Sequence, residues 1–317
     1  MGPDPSVFDE SAVDAETRCF NAQLEEMLAA ERPPWPPPPE ALAEARQRGT
    51  RGPVVVSDLA EERTIPGPGG LLRLRVFVPP GARGAYLHLH GGGWVIGSAR
   101  LQDDRLEALA LACRVVVVSV DYRLAPEHPY PAAPDDCYAA AEWLVEHGSP
   151  ELGTQHLLIG GESAGASLAV VTLLRRRDRY GTSGFAAANL AYGLFDLSLT
   201  PSARSWGERL PGPCTREIEW VADQFVPPER RREPDVSPLY AHLGGMPPAL
   251  FSVGTLDPLL DDTLFMHARW KAAGNRAELA VYPGGVHSFD AFPIGLACRA
   301  NVRAYRFLSS FLEGAPA

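Results

Sequence analysis

Between Leu72 and Val78, apolar residues alternate with Arg73, Arg75 and Phe77. This two-residue period predicts a β-strand with one face on a core. VVVSDL before it reads as a partner strand, and the intervening PGPGG as a turn, so an antiparallel hairpin is expected here. Beyond the hairpin the pattern changes. GAYLHLH (84–90), RVVVVSV (114–120), HLLIG (156–160), ANLAYG (188–193), ALFSVG (249–254) and ELAVY (278–282) are short, nearly continuous apolar runs. Stretches with helical character fall at 101–112, 134–147, 164–177, 258–273 and 298–312. Strands that are apolar throughout and alternate with helices predict an α/β fold. Its sheet is mainly parallel and eight-stranded, with helices on both faces and the hairpin adding antiparallel strands at one edge. ELAVY is expected at an edge as well, where it could pair across a homodimer.

Two regions do not fit this alternation. Residues 9–30 carry Val13, Phe20, Leu24 and Met27 at helical spacing. ERPPWPPPPE follows, an extended polyproline segment holding Trp35, and 39–48 reads as a second helix. The other region is the long connection between the strands at 188–193 and 249–254. It is too long for a simple crossover and holds one plausible helix, Thr215–Phe225, among many prolines. The expected organisation is an N-terminal helical cap segment at 1–50, a cap insertion at 201–244, and a body formed by 51–200 and 245–317. Trp35, Phe20, Trp206, Trp220 and Phe225 either line an apolar pocket under this cap or pack it onto the body.

Composition narrows the partners. Acidic residues outnumber basic ones by 39 to 29, a net charge of −10, which repels nucleic acid and anionic lipid. The basic runs Arg175–Arg177 and Arg230–Arg232 are interleaved with Asp178, Glu229 and Glu233 and read as solvated faces. MGPDPSVFDESAVDAE is acidic and lacks the apolar centre of a secretory leader, and no run is long and apolar enough for a membrane span. The five cysteines are far apart with no CxxC pair, as expected of reduced, mostly buried thiols in a cytoplasmic protein rather than a disulfide framework or a zinc site.

GESAG (161–165) directly follows the strand HLLIG. A sharp strand-to-helix turn requires small residues two positions either side of the serine, and Gly161 and Gly165 satisfy this. Ser163 is then either a helix N-cap or a nucleophile, and the helix that follows aims free N–H groups at the same place. A serine hydroxyl is a weak nucleophile without a base and an acid to orient that base. HGGGW (90–94) ends another strand. Three glycines in a row carry an entropic cost that makes sense where backbone must approach a ligand closely. A phosphate is the competing ligand, but the chain has neither GxxxxGK[ST] nor GxGxxG. Asp257 follows the strand ALFSVG and His287 the strand ELAVY. Asp257 also suits a helix N-cap, with Pro258 at the first helical position. Asp261 and Asp262 are rivals inside the following helix, expected to point away from the strand end. Among the histidines, only His287 lies after the acid in a strand-end loop, and His88 reads as a packed or hydrogen-bonded core group.

HGGGW, DYRLAPEHPYPAA, GESAG, DPLLDD and HSF, in this order over roughly residues 53–315, resemble the hormone-sensitive-lipase-like family of α/β-hydrolases, the bacterial family IV esterases. The resemblance implies the α/β-hydrolase fold with a helical cap. It also implies hydrolysis of short- to medium-chain carboxylic esters, small molecules, without metal or cofactor. Carried onto this chain, it makes Ser163 the nucleophile, His287 the base and Asp257 its partner. Gly91, Gly92 and Ala164 become the oxyanion donors. His90 would orient the glycine loop, and DYRLAPEHPYPAA would support the site from behind, with Glu127 and Arg123 making internal polar contacts. Two departures stand out: Ala166 where the family usually has a second glycine, and Glu162 where Asp or Thr more often precedes the serine. An amidase or an acyltransferase would use the same residues, and a non-catalytic receptor can share the fold.

Overall fold

The structure, a computed structural model, describes residues 4–30, 35–48, 55–148, 154 and 156–312. Residues 31–34 of the proline-rich segment and Val54 of the first expected strand lie outside the described residues. The strands are β1 (Ala60–Gly67), β2 (Gly70–Phe77), β3 (Gly84–Leu89), β4 (Val115–Asp121), β5 (Leu157–Glu162), β6 (Ala187–Ala191), β7 (Ala249–Leu256) and β8 (Ala277–Val286). They form one sheet in the order β1-β2-β4-β3-β5-β6-β7-β8. From β4 to β8 every pairing is parallel, and the β1–β2 hairpin joins β4 antiparallel. This is the α/β-hydrolase arrangement, with β8 at the edge expected for it.

The apolar runs are explained by two cores. Along β4, Val116, Val118 and Val120 face one cluster, and Val115 and Val117 the other. Along β3, Ala85, Leu87 and Leu89 face the first and Tyr86 the second. Helices α4 (Ala132–Trp143), α5 (Ala164–Tyr180) and α8 (Leu260–Ala272) cover one face of the sheet. Helices α3 (Asp103–Cys113) and α9 (Gly295–Ser309) cover the other. A strand sandwiched this way needs no polar face, so a two-residue period is absent from its sequence.

The first strand differs from expectation. Residues 55–59 of VVVSDL are not a strand: Val55 and Val56 are exposed, and β1 is the charged segment AEERTIPG. Register decides this. The tight turn at Pro68–Gly69 pairs Gly67 with Gly70, and counting back along the hairpin places Ala60 opposite Phe77, where β2 ends. The valines lie beyond the last partner, and only Ile65 of β1 is buried in the core.

The N-terminal helix also starts later than its apolar spacing suggests. The Asp14 carboxylate accepts the Thr17 N–H at 2.8 Å, so α1 runs Ala15–Ala30, after two 3₁₀ turns. Helix α1 lies against β8 and α9. Asn21 donates to the Gly284 carbonyl (2.8 Å), Phe20 packs on Phe292, and Arg299 pairs with Asp14. Helix α2 (Pro39–Arg48) follows as expected. Helices α6 (Pro201–Ser205) and α7 (Thr215–Phe225) occupy the long connection between β6 and β7. Among the described residues, no helix is long and apolar enough to cross a membrane. All five cysteines are free thiols; Cys113, Cys137 and Cys214 are buried, while Cys19 and Cys298 are exposed.

Candidate active site

Strand pairing brings the four motifs to one rim. Leu89 of β3 pairs with Gly161 of β5, so His90 and its glycines leave the sheet beside Glu162 and Ser163. Leu256 of β7 pairs with Val286 of β8, and the next residues on these strands are Asp257 and His287. A bulge between Gly254 and Leu256 precedes them. A side chain at Gly254 would stand 1.9 Å from the Gly285 carbonyl oxygen, so that close approach requires glycine. All these ends lie at the carboxyl edge of the parallel strands, where sites of open α/β sheets form.

Ser163 sits at φ 54°, ψ −121°, a conformation costing a residue with a side chain about 1–3 kcal/mol. The turn is that tight because β5 and α5 both press on the end of β3. A Cβ at Gly161 would stand 2.2 Å, and at Gly165 1.9 Å, from the Leu89 carbonyl oxygen. The Ser163 side chain makes no capping bond to α5. Its Oγ lies 3.1 Å from His287 Nε2, and His287 Nδ1 lies 3.0 and 3.1 Å from the two Asp257 oxygens. The carboxylate makes Nδ1 the protonated nitrogen, leaving Nε2 to accept from the hydroxyl. Asp257 is fully buried. It also accepts the Leu259 N–H (2.8 Å), a local turn rather than an N-cap, since α8 begins only at Leu260.

The rival acids are engaged elsewhere. Asp261 accepts the Ser202 N–H. Asp262 is fully buried and accepts the N–H groups of Phe195 (2.7 Å) and Asp196 (2.8 Å) and the Thr200 hydroxyl. Burial pushes its carboxyl up to about 7, against the pull of those three donors. It anchors the chain leaving β6 to α8. Asp262→Ala strands two buried N–H groups and is expected to cost on the order of 3 kcal/mol, read as a lower urea midpoint. Asp262→Asn keeps a carbonyl acceptor and is expected to lose less.

His90 stacks on Tyr122 (4.1 Å between ring centres, 11° between planes) and its Nδ1 donates to the Gly91 carbonyl at 2.8 Å. Burial pushes this imidazole down, so it is neutral near pH 7. Gly92 has φ +114°, and a Cβ there would meet the Ile96 carbonyl oxygen at 2.2 Å. Gly91, expected among the oxyanion donors, gives its N–H to Glu162 Oε1 at 3.2 Å. Counting N–H groups in the glycine run overlooks a buried carboxylate competing for one of them. The N–H groups of Gly92 and Ala164 make no hydrogen bond among the described residues.

Sequence of the chain matches a family described as alpha/beta hydrolase fold over residues 86–291. It is 34% identical over 272 residues to the carboxylesterase NlhH of Mycobacterium tuberculosis, covering 81% of this chain and 79% of that protein. It is also 34% identical over 255 residues to the carboxylic ester hydrolase LipN of the same organism, covering 77% and 68%. This chain belongs to the hormone-sensitive-lipase-like family of α/β-hydrolases. The structure of a Pyrobaculum calidifontis esterase superposes with a TM-score of 0.75 at 32% identity, over 94% of each chain.

Several polar groups around this α/β-hydrolase site escape sequence reasoning. Tyr192 and His287 meet in a T-shaped ring contact (5.0 Å, 68°), and the Tyr192 hydroxyl donates to Asp290 at 2.6 Å. Asp290 also accepts from Arg105 (2.8 Å). Burial raises the Tyr192 phenol well above its usual range, so it stays a donor. The available signals were weak: Tyr192 directly follows β6 at the same rim, and Asp290 lies three residues past His287. Glu127 was expected to make internal contacts, but it lies at the surface and pairs with Arg46 of α2 at 2.8 Å. That pairing holds its carboxyl down at about 2. Arg46 also donates to the carbonyls of Val95 (2.8 Å) and Ala125 (2.7 Å), tying α2 to the segment after the glycine loop. Arg123 does make an internal pair, with buried Asp136. Among the described residues, no group of three or more His, Cys, Asp or Glu side chains is placed to hold a metal.

Proposed function

We propose that the protein is a serine carboxylesterase acting on short- to medium-chain esters through an acyl-enzyme. The observation carrying this reading is the chain of contacts Ser163 Oγ, His287 Nε2, His287 Nδ1 and Asp257, each within about 3 Å, beside the Gly92 and Ala164 N–H groups, which have no partner among the described residues. The names of the relatives NlhH and LipN agree with it. Ser163 Oγ attacks the ester carbonyl carbon while His287 Nε2 takes the hydroxyl proton. The resulting oxyanion accepts from the Gly92 and Ala164 N–H groups, each such donor being worth about 10²–10³ in rate. His287 returns the proton to the departing alcohol oxygen. Water then adds to the acyl carbon by the same route and releases the acid. Asp257 keeps the proton of the resting imidazole on Nδ1 and offsets the imidazolium charge. His90, Tyr122 and the Arg46–Glu127 pair hold the loop and its flank from behind.

Residues 1–50 and 201–244 act in this reading as a cap over a body of 51–200 and 245–317. Supporting it, Phe225 of α7 stacks on Trp94 of the glycine loop (4.4 Å, 12°), and Trp35 meets Trp220 edge-on (5.4 Å). Phe225 and Phe20 thus pack cap segments onto the body instead of lining a pocket. Gly212 in the connection before α7 also comes close to the base: a Cβ there would lie 3.6 Å from that of His287. Space for the acyl chain is then set by the cap. Rates on p-nitrophenyl esters with acyl chains from about two to about twelve carbons test this. The expected kcat/KM peaks at the short end and falls with length. No turnover of any ester in the series would overturn the reading.

A further inference from the structure

Glu162 stands one residue before the proposed nucleophile and is buried. Both its oxygens are used. Oε2 faces His88 Nε2 at 3.1 Å, and Oε1 accepts from Gly91 N–H at 3.2 Å and from the Gln102 amide. His88 is itself held at Nδ1 by Ser119 Oγ, 2.9 Å away on β4. Burial alone would raise the Glu162 carboxyl, but His88, Arg105 and Gln102 outweigh it and hold the acid ionised. A buried carboxylate with three converging contacts is a fixed point.

What it fixes is the peptide group before Gly91. Its N–H goes to Glu162, and its carbonyl, that of His90, accepts from the Tyr122 hydroxyl at 2.7 Å. The peptide group after Gly91 has its carbonyl held by His90 Nδ1 at 2.8 Å, and its N–H is that of Gly92. Glycine has no side chain to restrict φ and ψ, so only such ties set where the Gly92 N–H points. We propose that Glu162 is a positioning residue: it clamps the peptide before Gly91 so that the Gly92 N–H is aimed where the oxyanion forms. This rests on the esterase reading above, but it assigns Gly91 a role as a clamped pivot and Glu162 one that never touches substrate.

Glu162→Ala and Glu162→Gln test it, with kcat and KM for p-nitrophenyl acetate, inhibition by a trifluoromethyl ketone that adds to the serine as an oxyanion, and thermal unfolding. Glu162→Ala is expected to lower kcat about a hundredfold with KM within about threefold, and to weaken the ketone by the same factor as kcat/KM. Glu162→Gln keeps one oxygen for Gly91, and its amide can donate to His88 once the His88 proton moves to Nδ1. It is therefore expected to recover most of kcat, and it carries the test alone, through ketone affinity tracking kcat/KM, if the alanine variant does not fold. An active wild type whose folded Glu162→Ala variant keeps kcat within about twofold or raises KM without lowering kcat, or whose Glu162→Gln variant changes ketone affinity and kcat/KM by different factors, overturns the positioning role alone. A wild type inactive on all esters overturns the esterase reading and this role with it.

Discussion

Ser163→Ala is expected to lower kcat on a p-nitrophenyl ester by roughly 10⁶-fold, about 8 kcal/mol of barrier, while the thermal midpoint stays within a few degrees. The hydroxyl is the only atom removed, and its hydrogen bond is to His287. The tight turn is enforced by Gly161 and Gly165 against the Leu89 carbonyl, which alanine at 163 leaves in place. What remains should be the contribution of substrate binding and of the Gly92 and Ala164 N–H groups, about 10³–10⁴ over water. Steady-state assay of the purified variant, with active-site titration by an organophosphorus ester to exclude contaminating wild type, measures it. A variant within tenfold of wild type would remove Ser163 from the chemistry.

Asp257→Asn carries the second-largest expected loss, about 10⁴ in kcat, or roughly 5 kcal/mol. The asparagine oxygen can still accept the Leu259 N–H that Asp257 holds at 2.8 Å, so the local turn survives. Its amide nitrogen then faces His287 Nδ1 and donates, forcing the ring proton onto Nε2. A protonated Nε2 cannot accept from Ser163. The effect is therefore on kcat, with a small change in KM, and it is relieved at high pH only as far as hydroxide replaces the base. Asp262→Asn serves as the contrast. Its carboxylate is bonded to Phe195, Asp196 and Thr200, away from His287, so kcat should be nearly unchanged. Reversal of that order would mean the wrong acid has been assigned.

Much of this was readable along the chain. Strands β2 to β8 and the five helices covering the sheet were placed by apolar runs and helical spacing, because residues buried on both faces leave a strong local mark. GESAG was legible as a turn because glycine is the only residue that survives a carbonyl about 2 Å from its Cβ position. The misplaced first strand shows the limit. Three valines in a row outweigh AEERTIPG by propensity, but a hairpin register counted from Pro68–Gly69 ignores propensity beyond the last partner.

The amino-acid sequence by itself determined which residues could do chemistry and in what order they follow the strands. Only the tertiary structure decided which of them meet. Asp257 and His287 are brought together by the pairing of Leu256 with Val286, and HGGG and GESAG by that of Leu89 with Gly161. The assignment of Gly91 N–H to Glu162, the bracing of His287 by Tyr192 and the reach of Arg46 from α2 to Glu127 were equally hidden. The reason is that a hydrogen bond between residues tens of positions apart leaves no periodicity. It depends on strand register and side-chain direction, which exist only once the sheet has closed.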